Sequence, residues 1–179
     1  MSSPRLTPTS YVVLGLIETL QPATPYDVKR LAAASTANFW TVPHTQLYAE
    51  CTRLAEAGLL DEQRERDGRR RRIYTLTEPG AEALRDWRRD PETRASEFRD
   101  VGVLKLFFGA DPVSLAPGEI SRHEAKLAEF ELTAQGELSD AMRRALEFGI
   151  EFERTLIANW HRVADRARSA ASDPARDPD

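Results

Sequence analysis

A mainly α-helical chain in two parts is predicted. An N-terminal unit of three helices and a two-stranded wing comes first, and an all-helical unit follows. Three observations predict it. Apolar residues recur at spacings of three and four along the early helical stretches. A β-hairpin signal, Arg66-Asp67-Gly68-Arg69, separates two short extended runs, because Asp-Gly tolerates the positive φ of tight β-turns. Beyond the break at Asp90-Pro91-Glu92, the pattern settles into long helical stripes.

After a short N-terminal arm, Thr9 or Ser10 is placed to cap a helix whose run Tyr11-Val12-Val13-Leu14-Gly15-Leu16-Ile17 is apolar on several sides and therefore buried on several faces. Pro22 and Pro25 mark a break; Pro25 suits the first turn of a second helix with Thr24 as its cap. Ser35 to Trp40 reads as a turn. A third helix starts near Pro43, with Leu47, Cys51, Leu54 and Ala55 facing the core, and Gly58 lies where a left-handed C-terminal cap is expected. A strand begins at Leu59-Leu60. The return strand ends in Ile73-Tyr74-Thr75-Leu76, with Tyr74 and Leu76 on the inner face. Thr77 then caps a helix from Glu78 to about Arg89. Helix, helix, helix, two-stranded wing, helix is the order of a winged helix-turn-helix.

In the second part, Phe98 to Phe108 is strongly apolar and Gly109 closes it. Asp111-Pro112 to Pro117-Gly118 reads as a loop. A long helix is expected from Glu119 to an interruption at Gly136, and a second from about Ser139 to Arg168. Its stripe of Met142, Ala145, Gly149, Phe152, Leu156, Trp160 and Val163, widened by Phe148, Ile150 and Ile157, is too broad for two helices to bury alone. A second copy of the chain is the economical cover, with Leu104, Phe108, Phe130, Phe152, Leu156 and Trp160 as dimerisation candidates. The expected divisions are residues 1–90, 91–170 and a frayed tail, 171–179.

The composition sets bounds on function. With 179 residues, 41% hydrophobic and 30% charged, a packed core is possible and wholesale disorder is not expected. The net charge of −4 is unevenly distributed: residues 1–90 carry 13 Lys and Arg against 12 Asp and Glu, and residues 91–179 carry 12 against 17. A local basic patch in the first half is thus compatible with nucleic acid. Cys51 is the only cysteine, which rules out an intrachain disulfide and fits a reducing compartment. No apolar run approaches the roughly 20 residues of a membrane span. Met1-Ser2-Ser3-Pro4-Arg5 lacks the apolar core of a signal peptide. A cytoplasmic protein without membrane partners is expected.

Two clusters carry chemistry. His44, Thr45, Gln46 and Tyr48 fall in the first turns of the third helix, the part of a helix-turn-helix that reaches base edges in the major groove. Gln can pair bidentately with adenine, and the others can reach bases or phosphates. Arg69-Arg70-Arg71-Arg72 follows the hairpin turn. Alternation along a strand sends two or three of these arginines toward phosphates, while another pairs with Asp67 or Glu65. Lys29 and Arg30 on the second helix are further candidates for backbone contact. The same residues would also suit a solvated helix start with a packed Tyr48 and a charged, aggregation-resistant strand edge. That alternative describes a winged-helix module that binds protein and not DNA.

Trp87 and Trp160 suit core or interface anchors and are also candidate effector contacts. His123 and His161 stand without Cys or carboxylate neighbours at metal spacing, so surface positions, no metal and no cofactor are expected. Glycine-rich phosphate loops, a G-x-S-x-G elbow and an H-E-x-x-H pair are all missing from the sequence, and an enzyme is not expected.

Thr9 to Ile17, Phe39-Trp40-Thr41-Val42-Pro43-His44-Thr45-Gln46-Leu47-Tyr48, Arg70 to Thr77 and Leu104-Lys105-Leu106-Phe107-Phe108-Gly109 together resemble the PadR family of transcriptional regulators. The second stretch is the specific one; Leu76 to Gly80 is shared with many winged-helix repressors. Leu146 to Arg154 looks like the last helix of the subgroup with a long C-terminal domain, so the resemblance covers roughly residues 6–165. Pro25, Ala49 and Cys51 depart from the usual Gly, Pro and Leu. The resemblance implies a homodimeric regulator, usually a repressor. It would bind a pseudo-palindromic operator in double-stranded DNA and be released by a small aromatic or amphipathic effector.

Overall fold

Pro8 opens the first helix, α1 (Pro8–Leu20), one position before the expected caps. A proline at the first helical position loses an N–H that would have had no partner anyway. Thr7 is therefore the cap, in a reciprocal box with Ser10: the Ser10 N–H donates to Thr7 Oγ1 at 3.4 Å and the Thr7 N–H to Ser10 Oγ at 2.8 Å. Thr9 and Ser10 lie buried in the first turn. The structure is a computed structural model that describes residues 5–65, 71–93 and 98–172. Its two compact units are Met1–Ala95 and Ser96–Asp179.

α2 (Pro25–Ala34) starts as expected, with Thr24 capping and Asp27 reaching back to the Thr24 N–H at 3.0 Å. Hydrogen bonds from Thr24 hold the Asp27 carboxyl below its usual range. A single 3-10 turn over Thr36–Asn38 leads toward α3 (His44–Glu56). Gly58 ends α3 at φ +73°, and the N–H groups of Gly58 and Leu59 close on the carbonyls of Ala55 and Leu54, which completes a Schellman motif. β1 (Leu60–Arg64) and β2 (Arg72–Leu76) pair antiparallel, with Leu60 opposite Leu76 and Glu62 opposite Tyr74. Ala23 adds a further rung through two hydrogen bonds with Tyr74. The Asp67-Gly68 turn, Arg69 and Arg70 lie outside the described residues. α4 (Glu78–Arg89) has the expected Thr77 cap. Gly80 lets this helix approach the strand: a Cβ there would stand 2.1 Å from the Leu59 carbonyl oxygen.

Val13, Leu14, Ile17, Val28, Leu47, Cys51, Leu54, Tyr74 and Leu84 are fully buried and bring α1, α2, α3, β2 and α4 into one core, which Leu60 of β1 joins. Tyr74, on the inner face as the alternation required, donates its hydroxyl to Glu62 Oε2 at 2.9 Å. That bond satisfies the one polar atom that a buried tyrosine brings with it.

In the second unit, α5 (Val101–Phe107) is capped by Asp100, and Gly109 at φ +86° follows its end. The expected loop from Asp111 to Gly118 is helical instead: α6 runs Pro112–Ala134 with Pro117 inside it. Asp111 accepts from the N–H groups of Val113 and Ser114, both at 3.1 Å, and Pro112 stands at the first helical position. A strong start one turn upstream outweighs the single hydrogen bond that Pro117 removes. α7 (Asp140–Ser172) begins behind Ser139, whose hydroxyl accepts from the Met142 N–H.

α6 and α7 run antiparallel, with Phe130 beside Gly149 and Ala116 near Trp160 and Ala164. Phe130 takes the space that a side chain on Gly149 would fill. His123, expected at the surface, is buried against Glu153; sequence spacing along one helix could not reveal a carboxylate supplied by another. His161 is exposed. Among the described residues no helix is long and apolar enough to cross a membrane.

Candidate nucleic-acid interface

α3 is the one described α-helix that begins without a side-chain cap. Thr7, Thr24, Thr77, Asp100, Asp111 and Ser139 cap the other six, whereas Pro43 has no side-chain acceptor and only its carbonyl accepts, from the Gln46 and Leu47 N–H groups. The N–H groups of His44 and Thr45 and the positive end of the dipole therefore take no side-chain cap and could meet an anion. His44, Thr45, Gln46 and Tyr48 are all exposed around this turn, while Leu47 between them is buried and orients the other four outward. Phe39 and Trp40, in the turn just before, are exposed as well.

An ionic anchor holds α3 against α1. Arg53 donates from Nε to Glu50 Oε2 at 2.9 Å and from Nη2 to Glu50 Oε1 at 2.6 Å, and it reaches Ser10 Oγ on α1 at 3.0 Å. The Arg53 guanidinium pulls the Glu50 carboxyl below its usual range against the opposing effect of burial. Glu50 is buried, so removing Arg53 would leave a carboxylate without its partner. Cys51, one residue on, faces the core, and burial pushes its thiol up to about 12; it is an inert packing group there.

The wing is tied to the outer face of the same helix. Arg72 Nη1 donates to Thr52 Oγ1 on α3 at 3.2 Å and lies 3.5 Å from Glu62. Arg71 grips Glu65 with two bonds of 3.0 Å and stays exposed. Thr52 did not stand out in the sequence, although Thr45, Tyr48 and Thr52 follow the three-and-four spacing of one helix face. Lys29 is half-buried on α2 and Arg30 is exposed.

The candidate effector and dimer residues fall in two places. In the first unit, the half-exposed Trp87 stacks on Tyr11 with ring centroids 4.7 Å apart and planes 7° from parallel. In the second, Trp160 and Phe130 are buried within their own unit, Leu156 is half-buried, and Leu104, Phe108 and Phe152 are exposed.

Three helices, a wing docked on the third and an outward-facing helix start define a winged-helix protein of the DNA-binding class. Comparisons with known proteins narrow the class. Residues 13–86 match the transcriptional regulator PadR-like family. The negative transcriptional regulator PadR of Bacillus subtilis (strain 168) is 26% identical over 132 residues, which is 68% of this chain and 70% of that protein. Bacillus subtilis PadR in complex with operator DNA has a similar fold, with a TM-score of 0.78 at 20% identity over 88% of this chain and 98% of that one. The same protein in complex with p-coumaric acid gives 0.75 at 19% identity over 92% and 99%. Residues 13–86 thus form a PadR-like domain, the domain of a family of transcriptional regulators, and the fold similarity extends over most of the chain.

Proposed function

We propose that the chain represses transcription as a homodimer on a pseudo-palindromic operator and that a small aromatic or amphipathic ligand releases it. The observation that carries the DNA-binding part is the uncapped, outward-facing start of α3 beside a wing docked on the same helix. Two such heads lie about 34 Å apart when they read successive major grooves. Gln46 and Tyr48, with His44 and Thr45, supply base discrimination. Arg69 to Arg72 and Lys29 supply sequence-independent attraction to phosphates.

The dimer rests on the apolar surface of the C-terminal unit, where Leu104, Phe108 and Phe152 are open to a second copy. The ligand is suggested by the relative bound to p-coumaric acid. Trp87 and Trp160 would report its arrival by fluorescence quenching if its pocket lies near either. A ligand releases the operator only by favouring one separation of the reading heads over another.

The test is selection of bound fragments from random duplex DNA, followed by anisotropy titrations over a range of salt. Gln46→Ala with Tyr48→Ala should flatten the preference among selected sequences while leaving the salt slope intact. Arg71→Ala and Arg72→Ala should weaken binding to all sequences and lower that slope by about 0.9 for each phosphate no longer neutralised. A wild-type protein with no salt-dependent affinity for duplex DNA would favour the alternative, a winged-helix module that binds protein.

A further inference from the structure

His123 takes no part in the proposed DNA-binding surface, yet three carboxylates converge on its surroundings. It stands on α6, is more than nine-tenths buried, and its Nδ1 lies 2.6 Å from Glu153 Oε2 on α7. Its Nε2 is fully shielded and has no hydrogen-bond partner among the described residues. A ring nitrogen of His123 and one carboxylate oxygen from each of Asp100 and Glu119 lie within 4.8 Å of one another. With Glu153 occupying Nδ1, Nε2 is the nitrogen left to serve with those two oxygens. A carboxylate fixing one nitrogen while the other presents a lone pair is the outer-sphere arrangement that orients metal-binding histidines.

We propose that Asp100, Glu119 and His123 bind a divalent transition-metal cation, with Glu153 as the residue that positions the imidazole. Charge supports it independently. The side chains of Asp100, Glu119 and Glu153 are only 11%, 12% and 12% exposed, and the Arg122 guanidinium pairs with Glu119 and lies 3.5 Å from Asp100. Among the described contacts, the three carboxylates outnumber this guanidinium in surroundings largely closed to water, where uncompensated ions are costly. One divalent ion would offset the excess. One nitrogen with carboxylate oxygens and no sulfur selects ions of the zinc or manganese kind over soft Cu(I), and the imidazole disfavours calcium and magnesium.

The fold leaves room for this cluster. Gly102 at the start of α5 has no side chain, and a Cβ there would come within 2.8 Å of both Glu119 Cδ and Trp160 Cζ2. Bonds of about 2.0–2.2 Å in a tetrahedral site need donor atoms about 3.4 Å apart, so the set, now within 4.8 Å, would draw together on binding. Asp100 Oδ1 accepts from the Val103 N–H at 2.8 Å and keeps that role as a helix cap; its other oxygen faces Arg122. Arg122 is more than half exposed and can withdraw toward water.

The experiment uses the untagged full-length chain, stripped with chelator. Co(II) is titrated against visible d–d absorption and Zn(II) by calorimetry. One equivalent per chain is expected. Affinity should fall at least tenfold in Glu119→Gln and Asp100→Asn, the second of which retains a capping side chain. His123→Gln should abolish the Co(II) bands, and Glu153→Gln should weaken binding by about 10–100-fold while keeping them, as an orienting residue does. His161→Ala, at the surface, should change nothing. If no stoichiometric binding occurs, or if Asp100→Asn and Glu119→Gln both bind like the parent, the proposal is overturned. The second comparison holds even if His123→Gln does not fold.

Discussion

The N-terminal unit closes its core with residues from all four of its α-helices and both strands, among them Leu14 and Ile17 of α1, Val28 of α2, Leu47 and Leu54 of α3, Leu60 of β1, Tyr74 of β2 and Leu84 of α4. The C-terminal unit encloses a far smaller cluster of Ala116, Trp160 and Ala164, and it buries the ionisable pair His123 and Glu153. Several of its large apolar side chains lie outside: Phe107, Phe108 and Phe148 are 81%, 77% and 76% exposed, although Trp160 and Phe130 are buried. The first unit also exposes aromatics, Phe39 at 71% among them, but around a much larger closed core, and the proposed dimer would use the apolar surface of the second. On the proposed function, the first unit would need internal rigidity and the helical unit a surface.

The sharpest way to break this comparison is to cut each unit where it is said to be strong. Leu54 is fully buried in the core of the first unit, so Leu54→Ala should cost about 2–5 kcal/mol and lower the melting temperature equally at every protein concentration. Phe108→Glu, on a side chain left outside the core of its unit, should spare the fold and weaken self-association instead. Burial of such a ring contributes about 1.5–3 kcal/mol, so the dimer dissociation constant should rise tenfold or more in sedimentation equilibrium. If Phe108→Glu melts like Leu54→Ala, or leaves association untouched, the division of labour is wrong.

Much of the first unit was legible because its signals are local. Thr24, Gly58 and Thr77 each act on the backbone within a few residues of themselves, and the alternation of Tyr74 and Leu76 follows from the strand's own period. Gly80 belonged to a readable motif, but its reason is the Leu59 carbonyl at 2.1 Å from a would-be Cβ, a contact across the fold that no spacing encodes. Thr52 was hidden for a similar cause: its partner Arg72 comes from the wing. In the second unit, the proline-glycine pair at Pro117-Gly118 gave a local signal for a loop, and the Asp111 cap upstream overruled it. His123 marks the limit most clearly, since Asp100 and Glu153 reach it from elements that precede and follow α6.

The smallest effect tests the rigidity of the reading head itself. Glu50 joins Arg53, which in turn holds Ser10 of α1. Glu50→Gln should cost about 1–2 kcal/mol at neutral pH, since Arg53 is partly solvated and the pair is screened accordingly. The sign of the pH dependence follows from the lowered carboxyl. A group whose folded pKa lies below its unfolded value stabilises the protein fully above the unfolded value, here about 4.5, and loses that contribution as pH falls through the folded one. Denaturant titrations of parent and variant should therefore differ at pH 7 and converge as the pH drops well below 4.5. A gap that persists unchanged to low pH would mean that Glu50 matters through packing alone. α3 would then be held to α1 by Leu47, Cys51 and Leu54, and the ionic anchor would only trim its orientation.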